Sequence, residues 1–276
     1  MPNETDRIGF VPGLRLKLEV RSHIVKTADS WEEVRQALRL RYDVFYREYL
    51  QRTNPEHLDV DRFDPVCDHI LVVETSTGRT VGTYRLNSSP QEDFYSRQEF
   101  DLSAILRLEG KKLEIGRGCV AKHSRNRGVF MMLWKGIAEY MHRTGTRYLF
   151  GCLSMPPGED LERVASLYAY MLRQHYSTAE CRVSPLKPLP ALAKLMRNLP
   201  GDQVMDEATS RHLLPLLPIY LHAGAVICGE PAHDEDFRTY DFFTLLDIEN
   251  LTNAGRRLFR TPDHGSFDTV KAFMKE

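Results

Sequence analysis

Apolar and polar residues alternate from Leu14 to Val25, with Leu14, Leu16, Leu18 and Val20 two apart, which predicts a half-buried strand. Ser30 followed by Glu33 reads as a capping box. Trp31, Val34, Leu38, Tyr42, Phe45 and Tyr49 then recur at helical spacing, predicting one long amphipathic helix to about Tyr49. His69 to Glu74 and Arg79 to Leu86 are β-rich runs joined by Thr75-Ser76-Thr77-Gly78, whose glycine suits a hairpin turn. A strand is expected over Lys112 to Val120, a helix over Val129 to Met141 and a strand over Tyr148 to Leu153. Strand, glycine turn and helix in succession indicate an α/β layer. A helix over Glu159 to Gln174, a proline-punctuated insertion with a short helix over Pro185 to Pro218, and strands over Gly224 to Cys228 and Tyr240 to Asp247 follow. The expectation is a single α/β domain over residues 14–250, with a central mixed sheet of about seven strands flanked by helices and a helical insertion (185–218) before the last strands. Residues 1–13 are expected to be a flexible lead and 251–276 a tail.

Composition narrows the class. With 276 residues, 42% hydrophobic and 27% charged, the chain has the apolar content for a self-sufficient core and lies outside the disordered and fibrous classes. No apolar run approaches the roughly 18 residues of a spanning helix. The longest candidate, Leu213 to Leu221, is broken by Pro215 and Pro218. The opening MPNETDRIGFVPG has no apolar signal region, which sets the expectation of a cytoplasmic protein. Five cysteines, none in a C-x-x-C pair, fit a reducing compartment and core thiols.

Charge is unevenly placed. Lys111 to Arg147 holds nine basic residues against Glu114 and Glu139, whereas Cys228 to Asn250 holds seven acidic residues against Arg238. A basic face in mid-chain is expected to attract an anion: phosphate, an acidic protein or lipid headgroups. Nothing in the pattern calls for nucleic acid.

The chemistry concentrates in Leu113-Glu114-Ile115-Gly116-Arg117-Gly118-Cys119-Val120, which runs into Ala121-Lys122-His123-Ser124-Arg125-Asn126-Arg127-Gly128-Val129-Phe130. In a regular strand Glu114 and Arg117 would point to opposite faces, but Gly116 and Gly118 permit a bulge that re-aims side chains and bares backbone groups. Basic residues and Gly128 at the entry of a helix make an anion site from free N–H groups and the helix dipole. No P-loop and no dinucleotide fingerprint is present, which leaves nucleotide hydrolysis and hydride transfer unsupported. Neither H-x-x-x-H nor H-E-x-x-H occurs, so no metal is expected.

Arg125-Asn126-Arg127-Gly128-Val129 resembles the R/Q-x-x-G-x-G/A acyl-donor motif of the GNAT acyltransferase superfamily, and Phe130 departs from it at the last position. Arg41-Tyr42-Asp43-Val44-Phe45, Asp61-Arg62-Phe63-Asp64, Gly82-Thr83-Tyr84-Arg85-Leu86 and Glu114-Ile115-Gly116-Arg117 resemble the R-x-x-V-F, D-x-x-D, G-x-x-R-L and E-x-x-R blocks of acyl-homoserine-lactone synthases. Trp134-Lys135-Gly136 and the stretch from Tyr220 to Phe237 are similar to blocks of the ornithine-lipid, or hemolysin-like, N-acyltransferases. That resemblance covers about Ser30 to Asn250 and implies a GNAT-like domain.

It implies transfer of a 3-hydroxy fatty acyl group from acyl carrier protein to the α-amine of an amino acid, ornithine first, with no permanently bound cofactor. The bulk of Phe130 favours the single phosphate of a phosphopantetheine arm over coenzyme A, with acyl-CoA as the alternative donor. Glu114 is the candidate catalytic residue, removing a proton from the amine. Arg41, Phe45, Asp61, Asp64, Arg85 and Arg117 are expected around the acceptor. Cys119, Val120, Lys122, Arg125, Arg127, Gly128 and Val129 are expected to hold the donor, with backbone N–H groups near Cys119 and Val120 facing the oxyanion. A structural reading stands beside each: a buried ion pair for Glu114 with Arg117 or Arg85, a structural network for Arg41, and solvated charge for the basic turn. A signal synthase and a non-catalytic protein docking acyl carrier protein or membrane are the competing functions. Leu189, Leu192, Leu195, Met196 and Leu199 share one helical face, which fits either packing on the core or peripheral contact with the inner face of a membrane.

Overall fold

The computed structural model describes residues 10–125, 127–214 and 217–259, apart from the side chains at 127, 202 and 211–213. Two compact units share the chain: Met1–Ser89 with Leu113–Thr146 and Arg257–Glu276, and Pro90–Lys112 with Arg147–Arg256. The expected lead falls mostly, and the tail largely, outside the described residues.

In the first unit, strands β1 (Lys17–Val20), β2 (His23–Thr27), β3 (Asp68–Glu74), β4 (Thr80–Asn87) and β5 (Lys111–Val120) lie side by side in that order. Each neighbouring pair is antiparallel. Leu14 to Val25 is therefore not one strand. Arg21 takes a left-handed φ of 52° and folds the run back on itself, pairing Val20 with His23. Alternation continues through such a tight turn, so periodicity alone does not see it.

Helix α1 (Trp31–Arg41) starts where expected: Ser30 Oγ accepts from the Glu33 N–H. The Glu33 carboxylate returns to the Asp29 N–H instead of to Ser30. Val34, Ala37 and Leu38 of α1 cluster with Leu71 of β3 on one face of the sheet. From Tyr42 to Leu50 the helix continues in wide i→i+5 turns and stops at Gln51, whose φ is 53°. Such turns are rare and frequent near functional sites. Apolar spacing marks the helix but not this change of register, which sets in directly after the buried Arg41.

Helix α2 (Arg127–Thr144) covers the opposite face. A Cβ on Gly136 would come within 2.8 Å of Val25 and 3.2 Å of Ile70, so this glycine is what lets helix and sheet approach.

The bulge anticipated in β5 is present. Thr83 pairs with Cys119 and Arg85 with Gly116, so Arg117 and Gly118 together oppose Tyr84. Arg117 takes φ 52°. A Cβ on Gly118 would lie 2.2 Å from the Tyr84 ring, whereas one on Gly116 would meet nothing within 4 Å. Gly118→Ala should therefore cost about 1–3 kcal/mol of unfolding free energy by overpacking, and Gly116→Ala within about 0.5 kcal/mol. Urea unfolding of the two variants checks this; equal losses would show that the Tyr84 contact is not what the glycine serves.

The second unit is built on β6 (Thr146–Ser154), β8 (Ala232–Asp234) and β9 (Thr239–Asp247), with β9 between the other two and antiparallel to both. The two-residue β7 (Val226–Ile227) also pairs with β9. Phe94, Phe100, Phe150 and Phe243 pack on one side with ring centroids 5.0–5.6 Å apart. Helix α3 (Leu161–Gln174) packs Val164, Leu167, Tyr168 and Met171 against Phe242 on another. Leu192 of helix α4 (Pro190–Asn198) is 1% exposed in that cluster, with Leu189, Leu195 and Met196 against it, so the core takes this apolar face. Eleven strands are present among the described residues, against about seven expected. The surplus is the divided first run and ladders of two or three residues, such as Phe100–Asp101 with Ser184–Pro185, too short to leave a periodic trace.

Arg147, from the basic stretch, pairs with Asp247 and Glu249 of the acidic one. Part of the predicted basic face is thus neutralised locally.

Candidate active site

One face of the first unit's sheet carries a lattice of three arginines and three aspartates. Arg41, at the end of α1, is fully buried, and its Nε donates to Asp59 at 2.7 Å while Nη1 and Nη2 donate to Asp64 at 2.6 and 3.3 Å. Arg85, on β4, donates to both Asp61 oxygens and to Asp64 at 2.6–3.1 Å. Arg117, aimed by the bulge, reaches Asp61 at 3.4 Å and Asp59 at 4.0 Å. The three carboxylates come from one short loop. Asp61 caps it by accepting from the Phe63 N–H, and Asp64 accepts from the Asp61 N–H.

Burial alone would raise these carboxyls, yet the Arg41 and Arg85 guanidiniums hold Asp64 far below the usual carboxylate range. Against the same cost of burial, Arg85 and Arg117 lower Asp61. His69 lies beneath with Nε2 3.0 Å from the Asp64 carbonyl, and burial pushes its imidazole down to about 4, so it is neutral. Only the edge of the lattice meets solvent, at Asp61 and Arg117, whose side chains are 21% and 13% exposed. Phe45 sits half-buried on the wide helical turns, its ring 6.3 Å from that of Tyr49.

Glu114 stands at the start of the bulged stretch of β5 and is 4% exposed. Its Oε2 accepts from Asn87 Nδ2 at 3.3 Å across the β4–β5 pair. The bulge resolves the face problem: with one extra residue between them, Glu114 reaches Asn87 and Arg117 reaches the aspartates from the same strand. Cys119 is buried opposite Thr83, and burial pushes its thiol up to about 12, so it remains protonated and is no nucleophile at neutral pH. Ala121 donates to the Val81 carbonyl at 2.8 Å. Antiparallel alternation then turns the Val120 N–H away from β4 and leaves the Cys119 N–H within the ladder.

The basic turn follows. Lys122 is exposed, Gly128 half-buried and Val129 buried; the Arg127 side chain lies outside the described residues. Arg125 does not stand free. Its Nε donates to the Val120 carbonyl at 3.2 Å and its guanidinium grips Glu48 through both terminal nitrogens. Lys122 Nζ lies 4.0 Å from the same carboxylate. Phe130 is buried, with its ring 6.2 Å from that of Trp134, so its bulk faces the core instead of the turn. The steric ground for disfavouring coenzyme A is thereby removed.

Four participants escape a sequence reading: Asp59, Asn87, Glu48 and His69. Asp59 and Asn87 each leave a trace, two residues from Asp61 and from Arg85, the spacing of one face of an extended chain. Glu48 meets its partner across 77 positions, and no local pattern signals that. Among the described residues, one trio brings metal-ligand atoms together, Glu99, Cys152 and Asp241 of the second unit. Burial and Asp234 push the Asp241 carboxyl up to about 6, which suits a proton shared with Glu99.

An acetyltransferase (GNAT) domain is matched over residues 40–135, which spans every candidate from Arg41 to Val129. The L-ornithine Nα-acyltransferase of Brucella abortus is 31% identical, with 83% of this chain and 85% of that protein covered. The chain belongs to the L-ornithine Nα-acyltransferase family. The enzyme of that name from Rhizobium meliloti is 30% identical, with 96% of this chain and 90% of that one covered. Among solved structures, the CoA-dependent acyl-homoserine lactone synthase BjaI overlays 89% of this chain and 93% of its own, at a TM-score of 0.46 and 17% identity. The protein is thus an acyltransferase with a GNAT-type α/β fold, and a purely docking role falls away. Among the described residues, no helix is long and apolar enough to cross a membrane.

Proposed function

We propose that the protein transfers a fatty acyl group, 3-hydroxylated in its native use, from the phosphopantetheine thioester of acyl carrier protein to the α-amine of ornithine, giving a lyso-aminolipid. The observation that carries this is Glu114: a buried carboxylate on the same bulged strand that carries Arg117, in a chain 31% identical to an enzyme named for ornithine acylation. Asp61 and Arg117 present a zwitterionic edge to an amino acid's ammonium and carboxylate, Arg41, Asp64 and Arg85 hold it in place, and Phe45 contributes to acceptor binding from the wide helical turns.

Glu114 takes one proton from the acceptor ammonium, directly or through a water, and the freed amine attacks the thioester carbonyl. The Val120 N–H steadies the oxyanion. When the tetrahedral species collapses, the C–N bond is kept, the C–S bond breaks, and the second amine proton leaves on the thiol. No covalent enzyme intermediate is needed. Lys122, Arg125, Arg127 and the amides of Gly128 and Val129 hold the donor phosphate at the helix entry, with Cys119 lining the strand beside it.

Purified protein given acyl carrier protein loaded with a long 3-hydroxyacyl chain, or the matching acyl-CoA, and ornithine should yield amide and free thiol in equal amounts. Glycine, glutamine and lysine serve as competing acceptors. Hydrolysis without amide, or consumption of S-adenosylmethionine with lactone formation, would overturn the reading. Arg125→Ala should raise the donor KM, by about three- to tenfold at low salt, with the defect shrinking as ionic strength rises. A salt-independent loss would reject the electrostatic role of the turn.

A further inference from the structure

The basic turn is already holding an anion, and that anion belongs to the protein. Glu48, on the wide helical turns after α1, offers both carboxylate oxygens to Arg125 and lies 4.0 Å from Lys122. Its side chain is 24% exposed and that of Arg125 37%, so solvent and solutes reach the pair. A bidentate guanidinium–carboxylate pair has the shape and charge of a guanidinium–phosphate pair. Tyr49, the next residue on the same turns, is 52% exposed and lies 6.0 Å from the Arg125 guanidinium, so the cation is bordered by an accessible ring as well as by the acid.

We propose that Glu48 is an internal competitor for the donor's phosphate: it occupies the Arg125–Lys122 site in the free enzyme and is displaced when the phosphopantetheine arm binds. This rests on the donor reading of the basic turn given above. The exchange keeps the two cations paired in both states, so the resting turn does not collect inorganic anions. It also lowers the affinity for any phosphate-bearing donor by the cost of releasing Glu48, which makes Glu48 a residue that sets donor affinity and its response to salt.

Glu48→Gln keeps the size of the side chain and removes its charge. Donor affinity is measured by calorimetry with acyl carrier protein carrying a long acyl thioester in one arm and the matching acyl-CoA in the other, from about 50 to 300 mM salt. Tightening by about three- to tenfold at low salt is expected, the size of one exposed bidentate pair, with a steeper fall of affinity as salt rises because two cations are now unscreened. The arm that tightens identifies the source of the phosphate. In Glu48→Gln/Arg125→Ala the gain over Arg125→Ala alone should shrink, since the competitor then keeps only Lys122, 4.0 Å away and without the bidentate grip. Unchanged or weaker donor binding in folded Glu48→Gln, while Arg125→Ala still weakens it, would overturn the proposal and make Glu48 a strut for the turn. Donor binding indifferent to Arg125→Ala would instead overturn the underlying donor reading.

Discussion

Glu114→Gln is expected to lower turnover by about 10²–10⁴-fold, the range for losing a positioned general base, while donor affinity stays within about twofold. The amide keeps the side chain's shape and retains an oxygen for the Asn87 Nδ2 donor, so the β4–β5 pair should survive the change. Chemistry is what suffers, because an amide does not accept a proton from an ammonium. The defect should appear in kcat for ornithine and not be rescued by raising either substrate. Full turnover by a folded Glu114→Gln enzyme would remove the base from the mechanism and leave Glu114 as a structural carboxylate of the strand.

Arg41→Met should destabilise the protein by about 3–5 kcal/mol, the cost of breaking a buried ion pair from one side. Arg41 is the fully buried node: without it Asp59 loses its 2.7 Å partner and Asp64 is left with one guanidinium, that of Arg85, beside the Asp61 N–H. Chemical denaturation at neutral pH measures the loss, and adding Asp64→Asn should recover part of it, because the two side chains share one network. A loss below about 1 kcal/mol would mean that water reaches the lattice on removal of the guanidinium.

The same lattice sets a pH dependence. Asp61 and Asp64 have lowered folded values, so their stabilisation is complete above the ordinary carboxylate range and is lost as acid protonates them. His69 falls from its ordinary 6.5 to about 4 in the fold, so its share is present above 6.5 and disappears between 6.5 and 4. That drop corresponds to about 3 kcal/mol at full burial. Stability should therefore decline across this interval in the wild type and decline less in His69→Gln; parallel profiles would show that His69 is not the titrating group.

Most elements were legible because their cause is local. The strand over Lys112 to Val120 and the helix after Gly128 follow from apolar spacing within a dozen residues, and both bounds hold to within three residues. Gly116 and Gly118 announced a bulge for the same reason: a residue without Cβ is a local fact. Which glycine is indispensable was not legible, since Gly118 answers to Tyr84 on another strand. Phe130, disruptive to a motif read in one dimension, turns its ring inward to Trp134.

What the sequence by itself determined is the family, the order of the longer strands and helices after the first, and Arg41, Asp61, Asp64, Arg85 and Arg117 as charged residues to be read together. Local propensity suffices for the elements, and the family and the charged residues follow from the motifs' resemblance to known blocks; neither needs knowledge of distant neighbours. Only the tertiary structure decided who pairs with whom: Asp59 joining Arg41, Asn87 facing Glu114, and Glu48 seated on Arg125. Those choices are made by charge and burial between segments far apart in the chain, where a buried guanidinium or carboxylate must find its partner or stay unfolded.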